Sequence, residues 1–333
     1  MVSPKKAGSP RFSIRPTRVP DLEKCYSLLR APYAANPANR KGLLAFWRQL
    51  MESGSAATGV IEDKALGKRL VGFGMSFFAS KSFARECLTA PPYLPLRAAG
   101  WRRGVRPFLN REEIAKANAG EGLVCVPLNF GMDVTSYGPP DLVKLQEAVL
   151  QMFFKVHGGF KITEFIEEVY GAFYRDNFQA MGLEVLRDFG EYESPPELGP
   201  VAEADRPCLM GAKPENPLVW KGSQVAVFFA RYTPPHFYFR PGQQAVLEDA
   251  LEGATDEEIA ASRRLSIWSV KKRWKTIYEK VSTVDPELLG SNHHGLSEDR
   301  GAKQKRRHLL NYLKDHPEEL RPLAVSRRRK SKA

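Results

Sequence analysis

The sequence predicts an α+β N-terminal domain, a mixed sheet with flanking helices, followed by an all-α domain. Three observations predict it. Strand-like and helix-like segments alternate through residues 12–189, an acidic, Pro-rich stretch fills 191–207, and after the TPP break at 233–235 the apolar periodicity turns helical and stays so. A length of 333 residues suggests two domains, and 43% apolar residues suffice for a buried core.

The elements follow in order. Residues 1–10, rich in Pro, Ser, Gly and Lys, read as a disordered leader. FSIRP at 12–16 reads as a strand, and Asp21 can cap a helix with Leu22, Cys25, Leu28 and Leu29 on one face. A second helix is expected over 41–52. TGVIED at 58–63 and RLVGFGMSFFAS at 69–80 are strand-like, with ALGK as a hairpin-like break between them. Residues 81–121, holding Pro91, Pro92, Pro95 and Pro107, read as an insertion with little regular structure. GLVCVPLNF at 122–130 is a buried strand and 131–140 a long turn. A helix then runs from Asp141 to about Lys155 on Leu142, Leu145, Val149 and Met152. FKITEFIEEVY at 160–170 is strand-like, 172–182 a helix ended by Gly182, and LEVLRDF at 183–189 a strand. This N-terminal domain covers 11–190, and 191–235 is a linker with one further strand, QVAVFFARY at 224–232.

Composition excludes several classes. The longest apolar runs, such as VAVFFA at 225–230, are far shorter than the roughly 18–20 residues that span a bilayer. The N-terminus is basic but has no apolar h-region, so it is not a secretory signal. Cys25, Cys87, Cys125 and Cys208 form neither a CxxC pair nor a zinc spacing and read as buried, reduced thiols of a cytoplasmic protein; no metal cluster is expected. The net charge of +12 favours polyanion contact, and basic residues concentrate at 263–280, 303–307 and 327–330.

The C-terminal pattern is the more specific. Val246, Leu247, Ala250 and Leu251 form one stripe before Gly253, TDEE at 255–258 is a capping box, and Ser266 is a second N-cap. In the third helix Val270, Trp274, Ile277 and Val281 share one buried face, while Lys271, Lys272 and Lys275 project from other faces of its first turns. A helix fits the DNA major groove, where base edges carry a sequence code, and Ser266 and Ser269 suit backbone contacts. The competing reading is a three-helix bundle with a solvated basic face.

Residues 239–281 resemble the LuxR-type helix-turn-helix of bacterial regulators. The carriers are Leu247, Gly253, Thr255, Glu258, Ile259, Ala260, Leu265, Ser266, Ser269, Val270, Lys271, Ile277, Lys280 and Val281. The resemblance implies double-stranded DNA as partner, a homodimer on DNA, and Lys271, Lys272 and Lys275 facing bases. The DNA-binding set is Ser266, Trp268, Ser269, Lys271, Lys272, Arg273 and Lys275, held by a core of Leu247, Ile259, Leu265, Val270, Trp274, Ile277 and Val281. Two positions depart from the family: FRPGQ replaces its opening cap, and Arg263 stands where a leucine is usual. The helix-turn-helix domain covers 236–290, with STVDPELL able to form a short fourth helix. A basic helical extension spans 291–322 and a disordered basic tail 323–333.

The order of elements over 12–189 is similar to the GNAT acyltransferase fold, carried by FSIRPTRVPDL at 12–22, RLVGFGMSFF at 69–78 and AFYRDNFQAMGLEVL at 172–186. The resemblance implies an acyl-CoA-dependent N-acyltransferase, with Tyr174 a general acid by family position, although such a tyrosine is more often a half-buried packing residue; Glu164, Glu167 and Glu168 could include a base, and alternating polar residues on a half-buried strand explain them as well. His157, before Gly158 and Gly159, reads as a turn residue. The family grips the CoA pyrophosphate with backbone N–H groups of a Gly-rich loop opening a helix. The corresponding 128–142 has Gly131 and Gly138 at another spacing, and Pro139 and Pro140 lack N–H donors. No cofactor is therefore expected, acyl-CoA being possible but unsupported by this loop, and catalytic residues are left unassigned. The first expectation is a sequence-specific transcriptional regulator whose N-terminal domain senses a small molecule or dimerises; a divergent PAS- or GAF-like sensor is also open. The alternative is a GNAT-like N-acyltransferase with an accessory nucleic-acid-binding domain.

Overall fold

The computed structural model of the chain describes residues 10–100, 105–189, 202–215, 222–229, 232–290 and 298–324. Most of the expected leader, the 191–207 linker and the basic tail lie outside these residues. Two compact units result. The first comprises Met1–Glu113, Leu123–His157 and Ile162–Ala230; the second comprises Ile114–Gly122, Gly158–Lys161 and Arg231–Ala333.

In the first unit, β1 (Phe12–Pro16) leads through α1 (Leu22–Ser27) and α2 (Pro37–Glu52) to the hairpin β2 (Ala56–Asp63) and β3 (Arg69–Phe78). Asp63 accepts the Ala65 amide at 2.9 Å, and Gly67 turns the chain with φ 65°. Then come α3 (Lys81–Cys87), α4 (Leu94–Ala99), α5 (Arg111–Ala119, whose residues from Ile114 belong to the second unit), β4 (Leu123–Met132), α6 (Pro139–His157), β5 (Ile162–Tyr170), α7 (Ala172–Met181), β6 (Glu184–Asp188), β7 (Pro207–Ala212) and α8 (Ala226–Phe229). The sheet is mixed and seven-stranded, in the order β1-β2-β3-β4-β5-β7-β6. All pairings are antiparallel except β4 with β5, which α6 connects as a crossover.

Both faces of the sheet are covered. On one, Trp47, Leu50 and Phe83 join Phe73, Phe77 and Ile166 in the largest buried cluster; on the other, Leu145, Ala148 and Met152 of α6 meet Phe12, Ile61 and Val71. The close seat of α6 needs bare backbone below it. A Cβ on Gly74 would lie 2.9 Å from Met152 Cε, and one on Gly59 3.0 Å from its Cγ.

Two expectations fail here. The described residues of 81–121 are not irregular: they hold three helices. Ser80 caps α3 by accepting the Phe83 amide, and Pro95 sits in the first turn of α4, where a missing N–H costs nothing. The strand expected at 224–232 is a short helix at 226–229. The seventh strand is instead PCLMGA at 207–212, buried at every position and therefore without the alternation that marks a half-exposed strand.

The second unit carries α9 (Pro241–Leu251), α10 (Asp256–Arg263), α11 (Ile267–Val284) and α12 (Glu298–Asp315). Leu247, Ile259, Val270, Trp274, Ile277 and Val281 are buried together with Leu309, Leu313 and Leu320, and half-buried Leu265 packs against them. STV belongs to α11, and residues 286–289 form a turn rather than a fourth short helix. The last helix stops at Asp315 instead of reaching 322 because Pro317 follows, and a 3₁₀ turn at Pro317–Leu320 replaces its end.

Candidate functional site

The parallel pair at the centre of the sheet is short. β4 and β5 are in register only at Leu123–Ile162, Val124–Glu164 and Cys125–Phe165. Beyond Cys125, β4 stays with β3 as far as Met132, and β5 stays with β7 as far as Tyr170. The strands therefore part, and a cavity of about 170 Å³ opens between them. Leu128–Met132 of β4 and Glu167–Tyr170 of β5 line it, with Leu29–Ala31, Tyr33, Val134, Tyr174 and Asp205 around them. Gly131 is required at this point: a Cβ there would lie 2.5 Å from the Leu28 carbonyl oxygen.

Two adjacent carboxyl groups face this cavity, and their surroundings differ. Side chains alternate along a strand, so Glu167 and Glu168 stand on opposite faces of β5. Glu168 is bound: its carboxylate accepts the Tyr93 amide at 2.8 Å, the Leu94 amide at 3.1 Å and the Tyr170 hydroxyl. Tyr93 reaches that geometry with φ 67°, a left-handed conformation unusual for a tyrosine, which the two amide–carboxylate bonds offset. Burial raises the Glu168 pKa, opposed by Tyr170, the two amides and the Arg97 charge. A buried chain continues across the gap, where Trp47 Nε1 donates to Asn129 Oδ1 at 3.1 Å and Asn129 Nδ2 donates to the Tyr33 hydroxyl.

Glu167 has none of this. It is 6% exposed and has no hydrogen bond or ion pair among the described residues. Burial alone pushes its pKa up to about 8. An unpartnered buried carboxyl that lines a cavity is the arrangement from which a general base is built. Tyr174, from the first turn of α7, reaches the same cavity edge-on to Phe130 with ring centroids 5.5 Å apart. Burial raises its pKa while the nearby charge of Arg30, also at the cavity, opposes the shift.

Glu164 does not join them, because it pairs with Lys213 at 3.1 Å and does not line the cavity. His157 is not a turn residue: it ends α6, buried, its Nδ1 2.8 Å from the Phe153 carbonyl and its ring against Phe153, Phe165 and Phe228. All four cysteines are buried as free thiols. Among the described residues no group of three or more His, Cys, Asp or Glu is placed to hold a metal ion, and no helix is long and apolar enough to cross a membrane.

The loop from β4 to α6 does not fit a pyrophosphate. Pro139 and Pro140 open α6 and offer no N–H, and the Asp141 and Leu142 amides both close on the Gly138 carbonyl. The Ser136 amide donates to Asp133 at 3.2 Å, and the Ser136 and Thr135 hydroxyls donate to the same carboxylate. A carboxylate of the chain thus takes the donors that a phosphate would need. Burial works to raise the Asp133 pKa, but these bonds and Arg69 hold it below the ordinary value.

The second unit presents an exposed face. Thr255 and Glu258 form a reciprocal capping box, at 2.7 and 3.2 Å. Arg264, with φ 53°, turns the chain between α10 and α11, and Ser266 caps α11 by accepting the Ser269 amide at 3.1 Å. Trp268 is 66% exposed, and Lys272 Nζ lies 5.0 Å from its ring centroid. Lys271 and Lys275 are exposed, and Ser269 stands in the first turn with its hydroxyl 2.9 Å from that of Ser266. Arg273 differs from the others, because its guanidinium donates to the Gly242 carbonyl at 3.2 Å. Arg263, where the helix-turn-helix family has leucine, pairs with Asp249 at 2.7 Å, so an ion pair replaces apolar packing there. Asp256 ties the core tryptophan in place, accepting from Trp274 Nε1 at 3.0 Å and from Arg306 at 2.8 Å.

No family model matches the chain, residues 239–281 included, and no curated protein matches. Solved structures do align. The C-terminal condensation domain of Ebony in complex with β-alanyl-dopamine aligns at 12% identity and TM-score 0.42, over 62% of this chain and all of that one. FeeM, an N-acyl amino acid synthase from uncultured soil microbes, aligns at 14% identity and TM-score 0.34, over 66% of this chain and 98% of its own. A SpeG spermidine N-acetyltransferase from Vibrio cholerae aligns at 9% identity and TM-score 0.35, over 62% and 95%.

Proposed function

We propose that the chain is an N-acyltransferase that works in the β4–β5 gap and carries an accessory nucleic-acid-binding helical unit. The observation that carries this reading is Glu167, a buried carboxyl without a partner among the described residues, at the place where two parallel strands separate. A carboxylate that holds its proton up to about pH 8 is a stronger base than an exposed one.

The acceptor enters as an ammonium and gives one proton to the Glu167 carboxylate, which passes it to solvent. The freed amine nitrogen bonds to the carbonyl carbon of an acyl thioester. The C–S bond then breaks with its electron pair on sulfur, and the second nitrogen proton ends on that sulfur. Tyr174 faces the cavity and supplies the relay for this last transfer. An amide, a free thiol and one proton result. The loop at 133–142 does not fit the nucleotide end of CoA, so no part of this step is assigned to it.

The test is release of free thiol from acetyl thioesters, read against a panel of primary amines with the full chain. Glu167→Gln should lower kcat/KM by roughly 10²–10⁴-fold, the usual worth of a general base. Equal rates in the two proteins would remove Glu167 from the chemistry.

A second reading keeps the sequence-based preference, in which the chain is a LuxR-type transcriptional regulator and the gap binds a small-molecule signal. The specific observation behind it is the exposed cluster of Trp268, Lys271, Lys272 and Lys275 on the first turns of a capped helix. Discrete genomic sites with dyad symmetry would favour it; uniform background binding would sink it.

A further inference from the structure

We infer that the acyl donor of this site is held by its acyl and pantetheine-like end alone, and that the nucleotide diphosphate of CoA contributes nothing to its binding. The inference rests on the acyltransferase reading and concerns what grips the donor.

The groups at the start of α6 decide the point. Recognition of a diphosphate at a helix N-terminus needs N–H groups that are not otherwise engaged and a local surplus of positive charge. Both are scarce here among the described residues. Asp133, Val134, Ser136, Asp141 and Leu142 donate their amides within the chain, and Pro139 and Pro140 have none. Only Thr135, Tyr137 and Gly138 keep an amide outside these bonds. The cations are engaged as well. Arg69 pairs with Asp133 at 3.1 Å, Arg11 bridges Asp141 at 2.5 Å and Asp63 at 2.9 Å, and Lys144 meets Asp141 at 3.3 Å. The Tyr137 hydroxyl donates to Asp63 at 2.9 Å. Three carboxylates therefore stand at this end of the helix against two guanidinium groups and one ammonium that they already occupy. An added diphosphate would face Asp133, and to reach either guanidinium it would have to displace an ion pair.

The gap itself is different. Leu128, Phe130, Met132 and Tyr174 are among its walls, and they suit an uncharged acyl chain and its thioester. A donor without a nucleotide loses nothing at such a site.

The test is calorimetric titration of the full chain with pantetheine, CoA and adenosine 3′,5′-bisphosphate, at about 0.3 M salt to screen the basic C-terminal surface. Pantetheine and CoA should bind with Kd values within about threefold of each other, and the bisphosphate should give no saturable heat. In turnover, acetyl-pantetheine and acetyl-CoA should show equal kcat/KM within the same margin. A CoA preference of roughly 30-fold or more, saturable heat from the bisphosphate, or no binding of pantetheine overturns the inference. If acetyl-CoA is a far better donor than acetyl-pantetheine, the acyltransferase reading stands and only this inference falls. If neither thioester yields an amide, the reading itself falls.

Discussion

The helical unit keeps its candidate contacts within residues 266–275, on one capped helix, whereas the gap in the sheet gathers 29–33, 128–134, 167–174 and 205. The first is a surface and the second a cavity. Side chains on the surface can meet a partner because a separate set, Val270, Trp274, Ile277 and Val281, does the packing. In the gap the same residues both pack and present chemistry, and what separates them is hydrogen bonding. Glu168 is held by two amides and a hydroxyl, and Glu167 by none of the described residues. Adjacent glutamates on one strand thus have opposite tasks, one fixing the α4 turn and the other left available.

Three sets of substitutions break or sharpen this contrast, in order of expected size. Trp274→Ala empties the centre of the helical core and removes the donor to Asp256; it should cost about 3–5 kcal/mol in urea unfolding followed by circular dichroism, with thiol release unchanged. Thiol release that fell in parallel would show that the core of one unit controls the chemistry of the other. Next, joint replacement of Lys271 and Lys272 by alanine should weaken double-stranded DNA binding by roughly 1–3 kcal/mol for each base that the two lysines read. Arg273→Ala, whose guanidinium is engaged by Gly242, should change it less. Equal weakening in a filter-binding series would place the reading face elsewhere. Smallest, Glu168→Gln turns an amide N–H₂ toward groups that already donate, and should cost about 1–3 kcal/mol of stability. Glu167→Gln should cost none, because it replaces an unpaired buried carboxyl. If the two variants unfold at the same urea concentration, the distinction between a bound and an available glutamate fails.

Much of the architecture is legible in the sequence. The alternation through 12–189 marks the strands and crossover helix of a mixed sheet. The caps at Thr255 and Ser266 locate two helix starts because a cap is a local device, readable in three or four residues. What is not legible is non-local. Nothing in LVCVPLNFGM says that its pairing with β5 ends after Cys125, so the gap has no signature in the sequence, and Glu167 is not separable there from Glu164 and Glu168. The chain Trp47–Asn129–Tyr33 spans distant segments and leaves no periodic mark. The helices of 81–121 are hidden because prolines in a first helical turn look, one by one, like breakers. The strand at 207–212 is hidden because a segment buried on both faces has no alternation to show. At Arg263 a family expectation of leucine meets an ion pair with Asp249, which fills the same position by a different interaction.

The raised pKa of Glu167 also fixes the sign of a pH effect. Its folded value lies above the ordinary 4.5, so between there and about 8 the native state holds a proton that the unfolded chain has released, and stability falls as pH rises through that window. On the proposed reading the same proton governs the chemistry. The most direct measurement of the central claim is the pH dependence of kcat/KM for thiol release, in the native chain and in Glu167→Gln. The rate should rise with pH and level off above about 8, with that limb absent from the variant. A limb near the ordinary carboxylate range, or one that persists in Glu167→Gln, would contradict a role for Glu167 as the base.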